Sequence, residues 1–89
     1  MERSVVVAIR EGLHARPAAL FAKAAGEQPV PVRIARPGGE PVDAASILGL
    51  MTLGAGAGDE VVLSTPADGD DDRAALDALV AFLEQTEVA

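Results

Sequence analysis

Apolar residues change their spacing several times along the chain, and each change marks an element. "RSVVVAI", Arg3 to Ile9, is short and β-branched and predicts a strand. From Pro17 onward, Ala18, Phe21, Ala22 and Ala25 recur at i, i+3, i+4 and i+7, which predicts a helix with a narrow apolar face, closed by Gly26. "PVRIAR", Pro31 to Arg36, alternates, with Val32 and Ile34 on one side, as in a half-buried strand. "PGG" is turn chemistry, and "EPVD" reads as a short return strand that Pro41, lacking an N–H, confines to a sheet edge. Ser46 then stands as N-cap before "ILGLMTL", with Ile47, Leu50 and Met51 at helical spacing. The glycines of "GAGAG" end that helix, "DEVVLST" is a strand, and Leu76, Leu79, Val80 and Leu83 make the stripe of a last helix.

The order is therefore β-α-β-β-α-β-α, with no internal repeat and no linker. Strands and helices so arranged in a short chain predict an α/β (α+β) fold, a mostly antiparallel sheet with helices on one face. The 89 residues leave room for a single domain over 1–89. Phe21 and Phe82 are the only aromatic residues, so aliphatic side chains must fill the core.

Charge and composition remove whole classes of function. A net charge of −7 argues against nucleic acid and against an anionic membrane surface. Cysteine is absent, which excludes disulfides, thiolate catalysis and zinc–thiolate sites. The run from Val5 to Ile9 is too short for a signal-peptide core, and no stretch approaches the roughly 18 apolar residues of a membrane span. A cytoplasmic protein is the default expectation.

Four stretches could carry chemistry. "DGDDD", Asp68 to Asp72, holds enough carboxylates for a hard cation but does not match an EF-hand loop, and reads as acidic residues capping and complementing a helix start. No metal is expected. "GAGAG" has its helix before it and its strand after it, the reverse of a nucleotide-binding glycine loop, and reads as a connection. Ser46 reads as a cap, although a cap serine is also where an added phosphate would meet oriented N–H groups.

The fourth stretch is "GLHARPAAL", residues 12 to 20, which contains His14, the only histidine. Pro17 fits the first turn of a helix, so the N–H groups of residues 15 to 18, except the proline's, are expected to be free beside the imidazole. Arg16 adds a permanent cation suited to phosphate oxygens, and Gly12 leaves room beside the ring. Cation and helix dipole together favour a neutral imidazole in an anion site. Its lone pair could attack phosphorus and hold a phosphoryl group as a phosphoramidate.

"GLHARPAAL" closely resembles the active-site segment of the HPr family, the histidine phosphocarriers of the bacterial phosphoenolpyruvate:sugar phosphotransferase system. "SILGLMTLGAGAGDEV", Ser46 to Val61, resembles the family's second segment, and the element order matches its open-faced β-sandwich: a four-stranded antiparallel sheet with three helices on one face. The resemblance implies that His14 accepts phosphate on Nδ1 from phosphorylated enzyme I and passes it to sugar-specific IIA domains. It implies that Arg16 supports the phosphohistidine, that Pro17 and Gly12 shape the loop, and that Ser46 matches a serine some bacteria phosphorylate with a regulatory kinase. It further implies a docking surface of Leu20, Ile47, Leu48 and Met51. Part of Ile47 and Met51 is expected in the core, with Leu48 and Leu20 exposed for a partner.

Two departures stand out. Ala45 and Gly49 occupy positions where many relatives carry lysine, which leaves Arg16 and Lys23 as the main cations near the site. "VDAA" before Ser46 lacks the polar or basic residue often found there. The expected protein is a phosphoryl carrier, not an enzyme with turnover of its own, acting without a cofactor as a monomer with small, transient partner contacts. The alternatives are an HPr-like regulatory carrier of a nitrogen-related phosphorelay, which "HARPA" disfavours, and a ferredoxin-like binding module in which the histidine is incidental.

Overall fold

The alternation in "EVVLS" builds the centre of the sheet. In the computed structural model, which describes residues 1–88, this segment forms strand β4 (Glu60–Ser64) and buries Val61 and Leu63 completely on one face. Two strands pair with it. On one side lies β1 (Glu2–Val6), with Val5 opposite Val61; on the other lies β2 (Arg33–Ala35), with Ile34 opposite Leu63. The short β3 (Val42–Asp43) pairs with β2 and completes the order β1-β4-β2-β3, antiparallel throughout. Pro41 thus leads into an edge strand, as its missing N–H requires.

The helices α1 (Ala15–Gly26), α2 (Ile47–Leu53) and α3 (Asp70–Leu83) close one face of this sheet. Their buried Ala18, Phe21, Ala25, Leu50, Leu76 and Leu79 share a core with Val5, Ile34, Val61 and Leu63 from the strands. All four residues of the predicted α1 stripe are buried. The rings of Phe21 and Phe82 meet edge to face at 5.3 Å between centroids, tying α1 to α3. Replacing the fully buried Phe21 by Ala would cost about 3–5 kcal/mol, because the cavity adds to the lost transfer energy. The other face of the sheet is left open, with Ser4, Val6, Arg33 and Glu60 exposed on it.

Several local expectations change. The first strand ends at Val6 rather than Ile9: Val7 still exchanges bonds with the 58–59 turn, but the Ala8 N–H donates to Leu83 and the Arg10 N–H to Thr86, so the chain leaves the sheet for the end of α3. Gly26 does not cap α1 in a left-handed conformation. It is the last helical residue, and Glu27, right-handed at φ −87°, ends the helix with its N–H on the Lys23 and Ala24 carbonyls. In the acidic run the α3 cap is Gly69, and Asp70, Asp71 and Asp72 occupy the first turn. Asp72 folds back, is 5% exposed, and accepts the Ala67 N–H at 3.0 Å. The Thr65 hydroxyl and the Ala67 N–H hold its carboxyl below the usual 3.8, against the opposing effect of burial.

Candidate functional site

The histidine segment sits on a glycine that nothing else can replace. Gly12 has φ +71°, and a Cβ there would lie 2.8 Å from Gly56 Cα and 3.0 Å from the Ala55 carbonyl oxygen. The same point is 3.2 Å from His14 Cδ2, so the imidazole lies over Gly12 and Gly12 lies on the 55–56 backbone. Beside it, Leu13 is fully buried and its N–H donates to the Ala55 carbonyl at 2.9 Å. Pro17 and Ala18 are buried on the far side. His14 is therefore exposed between two anchored neighbours.

His14 is the N-cap of α1, extended at φ −125°, ψ 158°, and its side chain makes no cap hydrogen bond, so the ring is not engaged by the helix it starts. Ala15 follows at φ +47°, in the left-handed region that a side chain disfavours by about 1–2 kcal/mol. Pro17 is the third helical residue, where no N–H is required. The Ala18 N–H is not free as expected: it closes the first turn onto the His14 carbonyl, at a long 3.4 Å. Ala15 and Arg16 remain as the N–H donors without an intrahelical acceptor.

Arg16 is exposed, and among the described residues it pairs with no carboxylate. Lys23 lies in the last turn of α1, about 10 Å further along the axis than Arg16, so Arg16 is the nearer cation to His14.

The "GAGAG" segment is the connection the sequence predicts, and it is also the floor of the site. Gly54 ends α2 in the left-handed conformation, φ 65°. Two residues that the sequence analysis did not single out hold the rest. One Asp59 oxygen, Oδ2, accepts the Gly56 N–H at 2.9 Å and the Arg36 guanidinium at 3.0 Å; the same guanidinium nitrogen reaches the Gly54 carbonyl at 3.2 Å. The Gly56 N–H, helped by the Arg36 charge, lowers the Asp59 carboxyl below the usual 3.8, partly opposed by desolvation. Arg36 and Asp59 stand 23 positions apart, and no local pattern links them.

Ser46 caps α2 as predicted, its Oγ accepting the Gly49 N–H at 3.0 Å. Leu50 alone of α2 is buried. Ile47, Leu48 and Met51 are 45%, 77% and 50% exposed, so the first and last are less in the core than their spacing suggested. Leu20 is half-buried rather than exposed. A Cβ on Gly26 would meet the Ala45 side chain, while Ala55 binds Leu13, so α1 and α2 run in opposite directions. Met51 thus lies toward the His14 end of the pair, and Ser46 lies at the other end, roughly one α1 length of 18 Å away.

His14 lines neither of the two best-formed clefts. One, of about 270 Å³, is lined by Pro31, Arg33, Ser64, Thr65 and Pro66; the other, of about 200 Å³, includes Val62, Ala35 and Gly39. Both belong to the strand side. An exposed histidine beside a free arginine and an apolar helix face suits a macromolecular partner better than a small substrate, which a pocket would enclose. Among the described residues no three His, Asp or Glu side chains group to hold a metal ion, and no helix is long and apolar enough to cross a membrane.

Residues 1–85 match the family model described as the PTS HPr component phosphorylation site. The chain belongs to the HPr family. It is 48% identical over 84 residues to the phosphocarrier protein HPr of Streptomyces coelicolor, covering 94% of this chain and 88% of that one. Its fold superposes on an HPr crystal structure from Bacillus anthracis with a TM-score of 0.84, at 37% identity, covering 93% and 95% of the two chains. A crystal structure of Crh, a Bacillus subtilis catabolite repression protein described as a swapped dimer, matches with a TM-score of 0.71, at 38% identity over 96% and 94%. The expected open-faced sandwich is the fold of these HPr relatives, and the ferredoxin-like alternative falls away.

Proposed function

We propose that this chain is a phosphocarrier that takes a phosphoryl group on His14 from phosphorylated enzyme I and delivers it to IIA domains of the phosphotransferase system. The observation that carries the reading is the exposed, uncommitted imidazole at the start of α1, beside the unpaired Arg16 and the Ala15 and Arg16 N–H donors. In the forward step a lone pair on a ring nitrogen, Nδ1 by family likeness, attacks phosphorus. The bond from phosphorus to the donor breaks and its electron pair returns to enzyme I. Arg16 and the helix N-terminus balance the charge on the transferred oxygens. In the onward step a nucleophile of IIA attacks phosphorus and the nitrogen–phosphorus bond breaks, its electron pair returning to His14, so the chain is a carrier and not an enzyme with turnover of its own.

Ile47, Leu48 and Met51, with the edge of Leu20, form the docking face, and Gly12 and Pro17 fix the loop that presents the ring. Ser46 serves as the cap of α2, and only family likeness offers it to a regulatory serine kinase, whose phosphate would act on docking rather than on His14 at the other end of α1. The carrier acts as a monomer in the cytoplasm. The swapped Crh dimer makes the monomeric state a point to measure, by light scattering of the phosphorylated and free forms.

Radiolabelled phosphoenolpyruvate and enzyme I should label the wild type and leave His14→Ala unlabelled, and an added IIA domain should discharge the label. Label on the His14→Ala variant would refute the assignment.

A further inference from the structure

We propose that Arg36 and Asp59 are positioning residues for His14, bracing the 54–59 loop on which the histidine segment rests. The inference builds on the carrier reading and concerns how its nucleophile is held. An ion pair whose members are 43% and 42% exposed contributes little as a pair. This pair, however, binds backbone at two points: Arg36 at the Gly54 carbonyl, and Asp59 at the Gly56 N–H. Between those points lies Ala55, fully buried, whose carbonyl accepts the Leu13 N–H.

Each further link is tight. The Gly12 backbone approaches Gly56 so closely that a single added carbon would sit 2.8 Å from its Cα, and the imidazole edge lies against the same spot. A shift of a few tenths of an ångström in the 55–56 backbone therefore reaches Gly12 and the ring, because nothing between them is compressible. Arg36 itself is not a phosphate ligand in this arrangement: its charge is balanced by Asp59, unlike that of Arg16. The remaining anchors of the segment, Leu13 and Pro17 in the core, fix its ends but not the ring's tilt over Gly12.

The test compares wild type, Arg36→Met, Asp59→Ala, the double variant and Arg36→Lys. Phosphoryl uptake from phosphorylated enzyme I gives kcat and KM, and amide hydrogen exchange is followed at Leu13 and Val61. Because misplacing a reacting group costs rate rather than docking, each single variant is expected to lose about tenfold in kcat with KM within about twofold. The double variant should lose no more than either single, since both break one unit. Arg36→Lys should recover most of the rate, and Leu13 exchange should rise about tenfold while Val61 exchange stays unchanged. If Asp59→Ala does not fold, Asp59→Asn replaces it. It keeps an oxygen for Gly56 but no charge for Arg36, and about a threefold loss is expected.

A folded variant with wild-type kcat, or losses that multiply in the double variant, would overturn the proposal. If wild type itself takes no phosphate, the carrier reading fails separately. Leu13 exchange then decides the brace: unchanged protection in Arg36→Met refutes it, and selective loss supports it.

Discussion

Gly12 and Ala15 show how few positions set the backbone geometry around His14. Gly12→Ala combines a left-handed φ with a 2.8 Å clash against Gly56, so it should destabilise by about 2–4 kcal/mol and abolish phosphoryl uptake. Denaturant midpoints and labelling would check both. Ala15 is the opposite case: a side chain held where glycine would be at ease. Ala15→Gly should keep or raise stability by up to about 1 kcal/mol, the left-handed penalty being offset by glycine's freedom in the unfolded chain. A loss of stability would show that the φ of Ala15 is not strained. The candidate site in this stretch was legible from one histidine, one arginine and one proline in six residues, because a helix start depends on local sequence. Arg36 and Asp59 were not legible, since their pairing depends on a tertiary approach across 23 positions.

At the level of elements, α2 does two separable things. Its cap is local: Ser46→Ala should cost about 1 kcal/mol through loss of the Gly49 bond, read as a lower unfolding midpoint, and leave the chemistry at His14 intact. Its outer face carries the proposed docking surface. Leu48, 77% exposed, can become Asp with a stability change within about 0.5 kcal/mol, yet KM for enzyme I should rise about tenfold with kcat little changed. Equal losses in both constants would mean that Leu48 supports the reacting geometry instead. Strands and helices followed from apolar spacing wherever one face is buried, as in α1 and β4. At Ile47 and Met51 the helical spacing marks residues that stay half exposed, and the strand signal ran too far at Val7 to Ile9. There Val7 and Ile9 are buried, but the Val7 backbone bonds to the 58–59 turn, the Ile9 carbonyl to Gly12 and the Ala8 N–H to Leu83 at the end of α3.

For the whole molecule, acidity is the main electrostatic fact: the net charge is −7, and Asp43, Asp59 and Asp72 each accept a nearby backbone N–H. Asp59 and Asp72 both titrate below their ordinary 3.8 in the folded state, so the unfolded chain binds protons first as pH falls. Their contribution to stability is complete above that value and is lost as pH drops through the lowered folded values. Urea midpoints should therefore fall steeply below about pH 4, and Asp72→Asn should flatten the slope. The helices fill one side of the sheet and leave His14, Arg16 and the outer α2 face exposed, as the proposed docking requires. The most direct measurement of that account is intact mass after incubation with phosphoenolpyruvate and enzyme I shown active on another HPr. One acid-labile phosphate on the wild type and none on His14→Ala is the expected result. No mass gain, or an equal gain on His14→Ala, would contradict it.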